Sequence, residues 1–167
     1  MVPIIFFLCV FLFLSCEKQP ASKLHLSPYT MQMEQSDTEL LQIAEDSRDT
    51  LSSFFRYLAR AGSDEHSFCI KYPFAADSGS GIGMEHVWLT GIQYKNGVYS
   101  GTIATTPIYL GSMKKGDTVT FSADSVSDWM YIRGGKIIGG YSIKYLLEQI
   151  PEDRRSEEQR IILGMFE

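Results

Sequence analysis

Apolar and polar positions follow two different periods along this chain. From residue 36 onward Leu40, Ala44, Ser47, Leu51, Phe54 or Phe55, and Leu58 recur at helical spacing, which predicts an amphipathic helix. Ser36 with Glu39 three residues later matches a capping box at its start, and Gly62 is a natural stop. After residue 66 the period shortens. Residues 67–74 read as a first strand, residues 75–83 as a loop with Gly79, Gly81 and Gly83 in its tip, and residues 85–89 as the beginning of a second strand. Alternating glycines suit a phosphate cradle, but a cradle draws on a following helix terminus, and here a strand follows.

Two dipeptides predict tight hairpins, because both of their central residues accept positive φ. Asn96-Gly97 would pair Tyr94 with Tyr99, Ile92 with Gly101 and Thr90 with Ile103, which gathers Trp88, Ile92, Tyr94, Tyr99 and Ile103 on one candidate core face. Gly134-Gly135 would pair Ile132 with Ile137 and Tyr131 with Ile138, leaving Gly139 opposite Met130 and Gly140 opposite Trp129. An indole or thioether then has open space over a glycine, so Gly140→Val should crowd Trp129. A turn at residues 115–117 leads into a strand at 118–121, Ser142 offers an N-cap for a short helix that Pro151 ends, and residues 151–166 predict a last, solvated helix. One helix, about six short strands and carboxy-terminal helices, without strand–helix–strand alternation, predict an α+β fold. Its expected form is a curved antiparallel sheet, a meander or partly closed barrel, with helices on one face.

The amino terminus changes the picture of where this domain works. Residues 4–14 are an unbroken apolar run, about 16 Å long as a helix and half of what a bilayer requires, so a secretory signal is expected over residues 1–15. The run stops at Ser15-Cys16, and Phe13-Leu14-Ser15-Cys16 resembles a bacterial lipobox, although Phe13 stands where leucine is usual and no Lys or Arg precedes the run. Lipidation of Cys16, a tether over residues 16–35 and one domain over residues 36–167 follow as expectations. The expected location is the bacterial cell envelope, periplasmic or at the surface. Of three cysteines only Cys69 would then remain in the domain, read as a buried, inert thiol. The net charge is −5, without a basic stripe, which argues against a nucleic-acid partner.

Candidate chemistry is sparse. Glu85 and His86 are adjacent in a predicted strand and so face opposite ways unless a bulge intervenes. Asp128 shares a phase with Val126, Met130 and Ile132, where a carboxylate needs partners; it either accepts backbone N–H bonds or acts as a general base. Lys136 and Arg133 flank the Gly-Gly turn as a solvated pair or anion contact. The histidines lack metal-ligand spacing, hydrolase and redox motifs are missing, and no cofactor or metal is expected.

Glu85-His86-Val87-Trp88, Tyr99-Ser100-Gly101, Gly116-Asp117-Thr118-Val119, Ser127-Asp128-Trp129-Met130-Tyr131, Gly135-Lys136 and Gly139-Gly140-Tyr141 together resemble the bacterial YegJ-like family, a domain of unknown function. The resemblance spans roughly residues 40–147, with Thr106-Pro107 where the family has Asn-Pro. It implies a single small domain and no activity, and it marks those residues as motif positions. Two functions follow as expectations. The favoured one is a non-catalytic binding module, possible in an immunity-like form, that meets a protein or envelope component at a membrane. The alternative is a small envelope hydrolase using Glu85 with His86, or Asp128.

Overall fold

The computed structural model describes residues 38–167. The expected signal, Cys16, the expected tether and Ser36 lie outside them. The chain opens with α1 (Thr38–Leu58), whose buried residues are Leu40, Ala44, Ser47, Leu51 and Phe54, the stripe that the spacing predicts. Strands β1 (Glu65–Ala75), β2 (Met84–Lys95), β3 (Val98–Ile103) and β4 (Thr118–Phe121) follow as an antiparallel meander, and then β5 (Asp128–Arg133), β6 (Lys136–Gly139), α2 (Tyr141–Glu148) and α3 (Glu157–Met165). The sheet order is β4-β3-β2-β1-β5-β6, so after β4 the chain returns to pair β5 with the free side of β1. Residues 122–127 make that crossing, partly as a short 3₁₀ turn. Four strand spacings are about 19 Å, near the limit of what so few residues reach, and a curved, open sheet shortens the way.

Both glycine hairpins form as expected. Asn96 and Gly97 have φ of 52° and 83°, Gly134 and Gly135 of 55° and 77°, and the pairs Tyr94–Tyr99, Ile132–Ile137 and Tyr131–Ile138 are present. Further from the first turn the pairing shifts. Between Thr90 and Gln93 strand β2 carries one extra residue, with Gly91 at φ 60°, so Thr90 faces Thr102 and not Ile103. A one-residue slip exchanges faces. Trp88 is therefore separated from Ile92 and Ile103 and joins Cys69, Met130 and Ile137 on the other side, while Tyr94 is largely exposed.

The sheet is covered on both faces, where the sequence predicts helices on one. Ile70, Val87, Leu89, Trp129 and Tyr131 pack with Leu51 and Phe54 of α1. Cys69, Trp88, Met130 and Ile137 pack with Ile143 and Leu147 of α2 and Ile162 of α3. Strand β5 accordingly has five consecutive buried residues, a run that reads as a two-sided core strand and not as an alternating one. The last helix carries a capping box of Ser156 and Gln159, and Phe166 beyond it bridges to Ile137 in parallel along the outer side of β6.

Candidate functional site

Ser142 does not cap α2. The residue at the cap is Gly140, in the left-handed region at φ 68°, and Ser142 lies two residues further on. What satisfies the helix start is Asp128, across from it on β5: Oδ2 accepts the Ser142 backbone N–H at 2.8 Å and its hydroxyl at 2.7 Å. Oδ1 accepts the Trp129 N–H at 2.7 Å, with Ser47 Oγ of α1 at 3.5 Å. Asp128 thus accepts backbone N–H bonds, one of the two roles the sequence leaves open for it, and ties β5 to α2 through Ser142 and to α1 through the Ser47 hydroxyl. Beside it the ammonium of Lys71 donates to Ser142 Oγ at 3.2 Å and lies 5.8 Å from the ring of Trp88.

Asp128, Lys71 and Ser142 are sealed from solvent. Burial pushes the Asp128 carboxyl up and the Lys71 ammonium down, and the attraction between them opposes both shifts. Lys71 is a residue the motif reading passed over. Its signal is the phase it shares with Cys69 in the alternating run of β1, which places it on a face already read as buried.

His86 stands close by. Its Nδ1 lies 2.9 Å from Ser127 Oγ, and that hydroxyl donates its proton to the Lys71 carbonyl at 3.1 Å. A hydroxyl has one proton, so Nδ1 must donate and carries the hydrogen, leaving Nε2 as the acceptor in neutral His86. Burial and the neighbouring Lys71 push the imidazole down to about 4. This yields a prediction with a definite sign. The unfolded chain binds a proton near 6.5 and the native chain does not, so stability is full above pH 6.5 and falls as the pH drops towards 4, by roughly 3 kcal/mol at most. Urea midpoints of the wild type against His86→Gln between pH 7 and 4 should show a shallower decline in the variant; parallel curves would contradict it.

The remaining motif residues scatter. Glu85 points away from His86 and accepts the Ile108 and Tyr109 N–H groups at 2.7 Å each, stapling the loop after β3. Lys136 donates to the Gly164 carbonyl at 2.9 Å, and Arg133 lies 3.8 Å from Glu167. Both hairpin cations therefore hold the carboxy-terminal segment, where the sequence leaves them as a solvated pair or anion contact. Trp129 donates its indole N–H to the Ser47 carbonyl and Thr50 Oγ1, and Tyr141 meets its ring edge-on. Tyr131 stacks on Phe68. Cys69 is buried, its thiol pushed up to about 12.

The glycine pair is arranged differently from its sequence reading. The Gly140 N–H does donate to the Trp129 carbonyl, but the indole lies over Gly139, where a Cβ would stand 2.7 Å from two ring carbons. A Cβ on Gly140 would meet Phe166 and Ile137 at 3.2 and 3.3 Å. Among the described residues no three His, Cys, Asp or Glu side chains cluster to hold a metal, and no helix is long and apolar enough to cross a membrane.

Fold and cluster define a small α+β domain whose motif residues chiefly hold a curved, two-sided sheet to its helices. The chain belongs to the family described as "Uncharacterized protein conserved in bacteria (DUF2314)", whose model matches residues 37–165. It is 37% identical over 94 residues to "Uncharacterized protein YegJ" of Escherichia coli K12, covering 56% of this chain and 59% of that protein. It is 32% identical over 130 residues to a "Putative ankyrin repeat protein" of Neisseria meningitidis serogroup B, covering 75% of this chain and 51% of the relative. The chain thus spans between about half and three-fifths of these curated relatives. No solved structure matches it.

Proposed function

We propose that the protein is a non-catalytic binding module held at a membrane of the bacterial envelope through a lipidated Cys16. The observation that carries this reading is the dispersal of the ionisable motif residues: Glu85, Asp128 and Lys136 are each engaged by backbone groups in different parts of the fold. A hydrolase needs an acid or base and a nucleophile converging on substrate, and Glu85 with His86, or Asp128, offers no such set. The exposed aromatic surface supports binding. Tyr94 and Tyr99 at the first hairpin, with Phe55, Leu58 and Ile92, line an apolar recess of about 330 Å³, and Phe55 stacks on Tyr99 at 4.5 Å. Such a surface suits a protein or envelope component, and an immunity-like protein that neutralises a toxin is one form of such a module.

Two measurements test this. A photo-crosslinking residue at position 94 in living bacteria should give a discrete adduct that the same residue at position 157 does not; identical patterns would refute the module. In detergent partitioning the wild type should enter the detergent phase and Cys16→Ser should remain aqueous, whereas an aqueous wild type would refute the anchor.

A further inference from the structure

A second cavity, of about 230 Å³, lies between the first half of α1, the β1–β2 pair and the crossing segment, lined by Leu41, Ala44, Pro73 and Met84 with Arg48, His86, Ser125 and Ser127. Its walls combine an apolar floor with a few polar groups on one side, the make-up of a small-molecule site and not of a packing defect. Taking the share of liquid volume of one water, about 30 Å³, per heavy atom, it accommodates on the order of eight heavy atoms.

The polar side is electropositive. Arg48 uses one guanidinium nitrogen on the Val126 carbonyl at 3.3 Å and has further donors left. His86 engages Ser127 through Nδ1 and makes no hydrogen bond through Nε2 among the described residues. Behind it stands Lys71. Of the acids on the surrounding elements, Glu85 of β2 is bound to loop amides and Asp128 of β5 to Ser142 and Trp129, Asp124 of the crossing segment lines the neighbouring recess that Arg48 also borders, and Glu45 and Asp49 of α1 are exposed.

We propose that this cavity binds a small carboxylate with a short apolar tail, Arg48 and His86 gripping the carboxylate and Leu41, Ala44, Pro73 and Met84 taking the tail. An anion at Nε2 reverses the electrostatic balance at His86. The imidazole takes up a proton from solvent on binding and donates through Nε2–H to a carboxylate oxygen, while Nδ1–H keeps its bond to Ser127. Binding is then linked to pH: affinity rises as the pH falls, by up to about tenfold per unit between the bound and free titration points.

Hexanoate is the probe and hexanol, with the same tail and no charge, its control, both added to the full-length protein with ring-¹⁵N-labelled histidine. Hexanoate should saturate with a dissociation constant on the order of a millimolar near pH 5.5. It should move the His86 titration up by at least about one unit. Hexanol should leave it in place. Arg48→Gln, at an exposed position, should weaken hexanoate about tenfold or more. Equal binding of hexanol and hexanoate would reduce the site to an apolar hole and overturn the proposal. A His86 titration unmoved by saturating hexanoate, or an absence of saturation, would overturn it equally, and neither readout depends on a variant folding.

Discussion

Asp128→Ala is expected to lower the unfolding free energy by about 3–5 kcal/mol, the cost of leaving several buried donors and a buried lysine without the carboxylate they face. Four donors lose their acceptor at once: the Ser142 N–H, the Ser142 hydroxyl, the Trp129 N–H and the Ser47 hydroxyl. Lys71 is left fully buried with Ser142 Oγ and the face of Trp88 as neighbours and no opposite charge. Its ammonium must then deprotonate or draw water into the core. Lys71→Met should relieve much of that penalty, so the double variant should be more stable than the sum of the single effects predicts. Urea denaturation of the four proteins measures this. Additive effects, or a midpoint for Asp128→Ala close to that of the wild type, would show that the two groups do not depend on each other.

Gly139→Ala should be the next most damaging change, at about 3 kcal/mol or more, combining backbone strain with overpacking. At φ 77° the residue lies where a side chain is strained whatever the space, and its Cβ would run into the Trp129 carbonyl and indole. Neither neighbour can yield, because the indole is held by Ser47 and Thr50 and the carbonyl accepts the Gly140 N–H. Gly140→Ala carries a similar φ of 68°, but its nearest neighbours are side-chain atoms at 3.2 Å and beyond that shift by tenths of an ångström. Thermal melts should therefore place Gly139→Ala below Gly140→Ala. The reverse order would mean that the indole does not lie over residue 139.

The helix stripe from Leu40 to Phe54 and both hairpin turns were legible because each depends on neighbours within a few residues: a spacing of three and four, or a dipeptide that tolerates positive φ. The Gly-Gly register carried through to Met130 opposite Gly139, since nothing interrupts the ladder between. Gly91 interrupts the other ladder, and a single bulge was enough to send Trp88 to the opposite face. Which glycine lies under Trp129 was equally closed to the pattern, because a strand register fixes backbone partners and a ring several atoms longer leans along the strand.

By itself, then, the sequence determined the local structures of this protein: where α1 runs, where the chain turns, which strands are neighbours in a hairpin, and that the domain is α+β. Only the tertiary structure decided that β5 lies beside β1, that helices cover both faces, and that Lys71, Asp128, Ser142 and Ser47 meet in the core. Those residues are 14 to 95 positions apart, and no period links them. They meet because a buried carboxylate, a buried ammonium and an uncapped helix start each need a partner, and the pairing of β5 with β1 brings all three within reach of one another.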